Sequence, residues 1–109
     1  MSLLDEIAAR ADAATEGPWR ALGTGAAGGD HWYICDDGEA IASISAQDGI
    51  NEDQREPDAE FIAHAREDVP KLVAALRAIE ELLAYWDTLA DGDRYYAATV
   101  RARIREALG

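Results

Sequence analysis

His31-Trp32-Tyr33-Ile34-Cys35-Asp36-Asp37-Gly38-Glu39-Ala40-Ile41-Ala42-Ser43-Ile44-Ser45 is where the chain reads as sheet. The first five side chains are aromatic or β-branched, types that suit a pleated and half-buried surface. Asp36-Asp37-Gly38 carries the composition of a tight turn, and Ala40 to Ser45 alternates at period two. A β-hairpin follows, with Ile41 and Ser43 on one face of its second strand and Ala42 and Ile44 on the other. Upstream, Trp19 to Leu22 has the length of a further short strand, which makes the hairpin part of a three-stranded antiparallel meander. The Gly-rich stretch Gly23 to Gly29 serves as the flexible loop between strands.

Helical periodicity flanks this sheet on both sides. Ser2 and Asp5 form an approximate capping box, and Leu3, Leu4, Ile7, Ala11 and Ala14 recur at helical spacing until Gly17-Pro18 stops them. A first helix over about residues 3–14 is expected. Gln47 to Pro57 is polar, lacks an apolar period and reads as a loop. Asp58 then caps a helix whose apolar stripe is Phe61, Ile62 and Ala65, and Val69-Pro70 predicts a kink or a fresh start. From there Val69, Leu72, Leu76, Ile79, Leu83 and Trp86 alternate in steps of three and four, a heptad seam that suits a helical hairpin or a coiled-coil dimer. After the turn Asp91-Gly92-Asp93, a last helix carries Tyr96, Val100, Ile104, Ala107 and Leu108 on one face. The expected architecture is α+β in one domain, residues 1–109: an N-terminal helix, a small antiparallel meander, then a C-terminal helical hairpin with a kink near Pro70.

At 109 residues the chain supports one modest core. The apolar fraction of 49% is rich in alanine, and one Phe, three Trp and four Tyr are the large rings, so the core is thin. A homo-oligomer, most simply a dimer, would reinforce it. The formal net charge of −12 repels phosphate backbones and anionic headgroups, which argues against direct nucleic-acid binding and membrane association. A host protein with a basic surface is favoured on the same grounds. The single Cys35 has no intramolecular disulfide partner, residues 1–20 lack a basic start followed by an apolar run, and a cytoplasmic location is expected.

The side chains that could carry chemistry form no complete set. His64 and Glu67 have the spacing of a helical metal pair, and His31 could add a third ligand, but two spaced residues fall short of a metal centre. Asp36 and Asp37 are explained by turn formation, Cys35 lacks a partner histidine at a diagnostic position, and the glycine-rich stretch lacks the Lys and the strand-to-helix context of a phosphate loop. No catalytic residue, cofactor or metal is therefore assigned, and a non-enzymatic protein is expected. Charge is distributed more tellingly: residues 36–60 hold nine acids against Arg55, whereas residues 91–109 hold four arginines against three acids. An acidic band of Asp36, Asp37, Glu52, Asp53 and Glu56 could occupy a basic groove of a host protein. Alternatively, Arg94, Arg101 and Arg105, with Tyr95 and Trp32, could hold an anionic nucleotide.

Two segments carry a resemblance. Ala14-Thr15-Glu16-Gly17-Pro18-Trp19, and Asp58-Ala59-Glu60-Phe61-Ile62-Ala63-His64-Ala65 followed by Asp68-Val69-Pro70, resemble the Ead-type small accessory proteins of tailed phages and prophages and their actinobacterial relatives. The order of an N-terminal helix, a Gly-Pro-Trp lead-in to a small sheet and an Asp-Ala-x-Phe-Ile-Ala helix start is similar over about residues 3–85. The lambdoid members tend to place Ala-Asn-Pro where Arg66-Glu67-Asp68-Val69-Pro70 stands here. The resemblance implies a phage or prophage accessory protein in the cytoplasm of an infected or lysogenic bacterium. With the acidic charge, it points to a protein that binds and modulates a host protein, a defence or nucleic-acid-processing enzyme being the natural target. An oligomeric sponge for a nucleotide immune signal is the alternative, and a small enzyme the third.

Overall fold

The computed structural model describes residues 2–24, 31–45, 51–89 and 91–109. Six elements follow one another: α1 (Leu3–Ala13), β1 (Arg20–Thr24), β2 (His31–Cys35), β3 (Ala40–Ser45), α2 (Glu52–Trp86) and α3 (Asp91–Leu108). The class is α+β, and the sheet is an antiparallel meander in the order β1-β2-β3. Most of the Gly23 to Gly29 stretch and the start of the Gln47 to Pro57 segment lie outside the described residues. Contacts group the chain into two compact units, one of Met1–Ile7 with Lys71–Gly109 and the other of Ala8–Pro70.

In the Ala8–Pro70 unit, Trp32 and Ile34 stand two apart on β2 and so share a face. Ala21 pairs with Ile34 from β1, and Ile44 pairs with Trp32 from β3. Between Ile34 and Cys35 the β2–β3 register shifts: Ile34 faces Ala42 while Cys35 faces Ala40, leaving Ile41 as the extra residue of a bulge. Ile34 and Ile44 are buried with Ala59 and Ala63 of α2, and Trp19, Ala21 and Trp32 pack against that cluster. Two alanines at i and i+4 present only methyl groups, which lets the helix backbone lie close to the sheet. The expected stripe is thereby corrected: Phe61 is 77% exposed and Ile62 also faces outward. Trp19 closes the corner, its Nε1 donating to the Thr15 carbonyl at 3.0 Å, with the Arg66 guanidinium 6.0 Å from the ring centre.

The long helix departs from expectation at its start and is unbroken at Pro70. α2 begins at Glu52 and not at Asp58, because Asn51 caps it: Asn51 Oδ1 accepts the Asp53 N–H at 2.9 Å and its carbonyl accepts that of Gln54. Acidic residues in the opening turn complement the helix dipole, and Pro57 is carried inside the helix. Asp58 instead accepts a hydrogen bond from Gln54 Nε2. α2 is also continuous through Pro70, so no fresh helix starts at Val69.

In the other unit, the capping box at α1 is formed in both directions: Asp5 N donates to Ser2 Oγ at 3.1 Å, and Ser2 N to Asp5 Oδ2 at 3.4 Å. Leu4, Val73, Leu83 and Ala97 are buried here. The single seam expected from Val69 to Trp86 is split. Leu83 is buried and Leu76 half-buried beside Val73, whereas Leu72 and Ile79 remain 65% and 43% exposed. On α3 the inward face is Ala97, Val100, Ile104 and Leu108, with Tyr96 turned outward.

Candidate functional site

The acidic candidates divide between a turn and a helix start. Asp36 Oδ1 accepts the N–H groups of Gly38 at 3.1 Å and Glu39 at 3.0 Å, closing the β2–β3 turn. These two donors, that of Glu39 first, favour the charged carboxylate and hold Asp36 below the ordinary aspartate range. Asp36 is half-buried and Asp37 fully outward. This turn comes to lie beside the Thr15–Pro18 segment, and Thr15, Glu16, Gly17, Pro18, Asp36 and Asp37 line an open hollow of about 320 Å³. On its other side this segment approaches α2 closely at Gly17, where a Cβ would sit 2.9 Å from Arg66 Cγ and 2.5 Å from Glu67 Oε1. Glu16 thus joins the acidic turn from twenty residues away in sequence, a placement with no local signal.

At the start of α2, Asp53 and Glu56 are exposed; the side chain of Glu52 lies outside the described ones. Asp37, Asp53 and Glu56 have no ion-pair partner among the described residues.

The arginine edge is arranged differently. Arg101 of α3 grips Asp87 with two nitrogens, Nη2 to Oδ2 at 2.6 Å and Nη1 to Oδ1 at 3.0 Å, and the paired carboxylate pushes the guanidinium pKa further up. Arg101, Ile104 and Arg105 line a shallow hollow together with Glu80 of α2, so one acid faces it while one of its two arginines is held by Asp87. The side chains of Arg94 and Tyr95 lie outside the described ones, and Trp32 packs against the sheet cluster of the other unit.

The helical metal pair is not assembled as spaced. His64 is exposed and pairs with Glu60 one turn back, Nε2 to Oε2 at 3.4 Å, while the Glu67 carboxylate lies against Gly17. His31 stacks on Tyr33 with ring centres 6.1 Å apart. Among the described residues no three His, Cys, Asp or Glu side chains converge as a metal site would require, and no helix is long and apolar enough to cross a membrane. Comparison with known proteins finds no matching family model, curated protein or solved structure.

Proposed function

We propose that this chain is a phage- or prophage-encoded accessory protein that works by binding: as a homo-oligomer in the host cytoplasm, it engages a basic surface of a host protein and modulates it without catalysis. One contrast carries the reading. Asp37, Asp53 and Glu56 stand exposed with no internal cation among the described residues, whereas Arg101 is already neutralised by Asp87. Unpaired surface carboxylates on a chain of net charge −12 steer a basic partner and suppress acidic ones. A nucleotide sponge would draw instead on the hollow lined by Arg101 and Arg105, but a phosphate there has to approach Glu80 and compete with Asp87 for Arg101.

Charge reversal separates the two. Converting Asp37, Asp53 and Glu56 to Lys together should slow association with the host partner and flatten its salt dependence, and should abolish the phenotype in a phage-infection assay. Arg101→Glu with Arg105→Glu should leave both intact. The reverse pattern, with a nucleotide retained in native mass spectra of protein purified from the host, would replace this reading with the sponge.

A further inference from the structure

β3 is an edge strand. It stands last in the order β1-β2-β3, and among the described residues no strand pairs with its outer side. An antiparallel strand so placed turns alternate pairs of N–H and C=O groups outward, a template that another extended chain satisfies. Edges are ordinarily blunted by lysine, proline or a bulge. Ala40-Ile41-Ala42-Ser43-Ile44-Ser45 has no charge and no proline, and its bulge residue, Ile41, falls at the turn end and leaves Ala42 to Ser45 in unbroken register with β2. Ala40 to Ser43 are exposed. The opposite edge, β1, is less receptive, since it carries the charge of Arg20 and the strand-weakening Gly23.

Charge decides what pairs with the β3 edge. Residues 36–48 hold Asp36, Asp37, Glu39 and Asp48 and no Lys, Arg or His. Two β3 edges meeting about a two-fold axis would bring both sets of carboxylates to one junction, where like charges repel. A cationic strand meets the opposite field. Asp37 and Glu39 stand exposed where the edge begins, and Glu16 lines the hollow at the same turn.

We propose that the β3 edge takes an extended, lysine- or arginine-rich segment of the host partner as a fourth strand of the sheet. The inference rests on the basic-partner reading and adds the means of recognition. Main-chain hydrogen bonds along β3 supply affinity, and the carboxylates of the β2–β3 turn select cationic side chains at one end of the added strand.

Amide hydrogen exchange of the full chain, followed by NMR with a synthetic strand, tests this. The probe is the acetylated and amidated hexapeptide Lys-Val-Lys-Val-Lys-Val at millimolar concentration. It should protect the β3 amides that exchange freely in the native chain, and the counterpart Glu-Val-Glu-Val-Glu-Val should not. The lysine peptide N-methylated at every residue keeps its charge but loses every main-chain donor, and should protect nothing. Asp37→Lys with Glu39→Lys should raise the dissociation constant of the lysine peptide by about fivefold at low salt, an effect that shrinks as salt is added. Equal binding of the native and N-methylated peptides, without protection of β3, overturns the edge and leaves the basic-partner reading standing. Equal protection by the glutamate peptide, or indifference to the two lysine substitutions, overturns the selection for a cationic strand. Protection of β3 that grows with protein concentration in the absence of peptide gives the edge to a second copy, and no protection by any peptide overturns strand addition altogether.

Discussion

Gly23 and Trp32 stand opposite each other in the β1–β2 ladder, and the indole lies over the glycine so closely that a Cβ there would be 2.9 Å from Cζ2 and 3.0 Å from Cη2. Glycine weakens a strand, and a cross-strand aromatic that covers the bare backbone compensates. Trp32 fills the space a β1 side chain would otherwise take and packs on the buried cluster of the sheet.

Gly23→Ala should therefore destabilise by about 1–3 kcal/mol through overpacking, despite alanine's better strand propensity. In a Trp32→Val background the same change should be neutral or stabilising. Urea unfolding of the four proteins of this double-mutant cycle gives the coupling, and an additive cycle would show that the indole does not depend on the glycine.

The two classes of leucine on α2 give a second test. Leu83 is 1% exposed, so Leu83→Ala should cost about 2–5 kcal/mol. Leu72→Ala should change the stability of the dilute monomer by no more than about 0.5 kcal/mol. Equal losses at both positions, measured by denaturant melts at low protein concentration, would contradict the split of the seam.

A third prediction concerns acid. Because hydrogen bonds from Glu39 and Gly38 depress the Asp36 pKa in the folded chain, its contribution is fully present above the unfolded aspartate value near pH 4 and is lost as pH falls through the lower folded value. Asp36→Asn retains an acceptor oxygen for the turn but cannot titrate. The advantage of the native chain over this variant should shrink as pH is lowered from about 5 to about 2. Thermal melts across that range should show the two curves converging, and a constant gap would mean the carboxylate is not the titrating group.

The parts of the fold that were legible in sequence are those whose signal is local. The hairpin announced itself because Asp36-Asp37-Gly38 sits between two segments of strand composition, and α1 because Ser2 and Asp5 satisfy each other across one turn. The start of α2 was not legible, since residues 52–57 are held as helix by the Asn51 cap and the helix dipole, with no apolar stripe to betray them and with Pro57 reading as a break. Phe61 and Ile62 outrank Ala59 and Ala63 by hydrophobicity, which follows size, while a close helix–sheet approach selects for smallness. The heptad reading of α2 takes Leu76 and Leu83 from the inward face and Leu72 and Ile79 from the outward one and omits the buried Val73, because two rows separated by one residue position differ little in linear spacing. Glu16 could be placed beside Asp36 and Asp37 only by the fold.

The bond from Gly38 N to Asp36 Oδ1 also bears on the chemical ageing of the chain. Among aspartates, one followed by glycine is the most prone to close into a succinimide, because no side chain hinders the glycine nitrogen as it attacks the preceding carboxyl group. Asp37-Gly38 is such a pair, and Asp37 is exposed. In the closed turn that nitrogen points its hydrogen at Asp36 and is fixed in a backbone geometry in which it must first be released before it can reach the Asp37 side chain. Isoaspartate at position 37 should thus accumulate in proportion to the time the hairpin spends open, which makes this one residue a slow clock of the sheet's local unfolding.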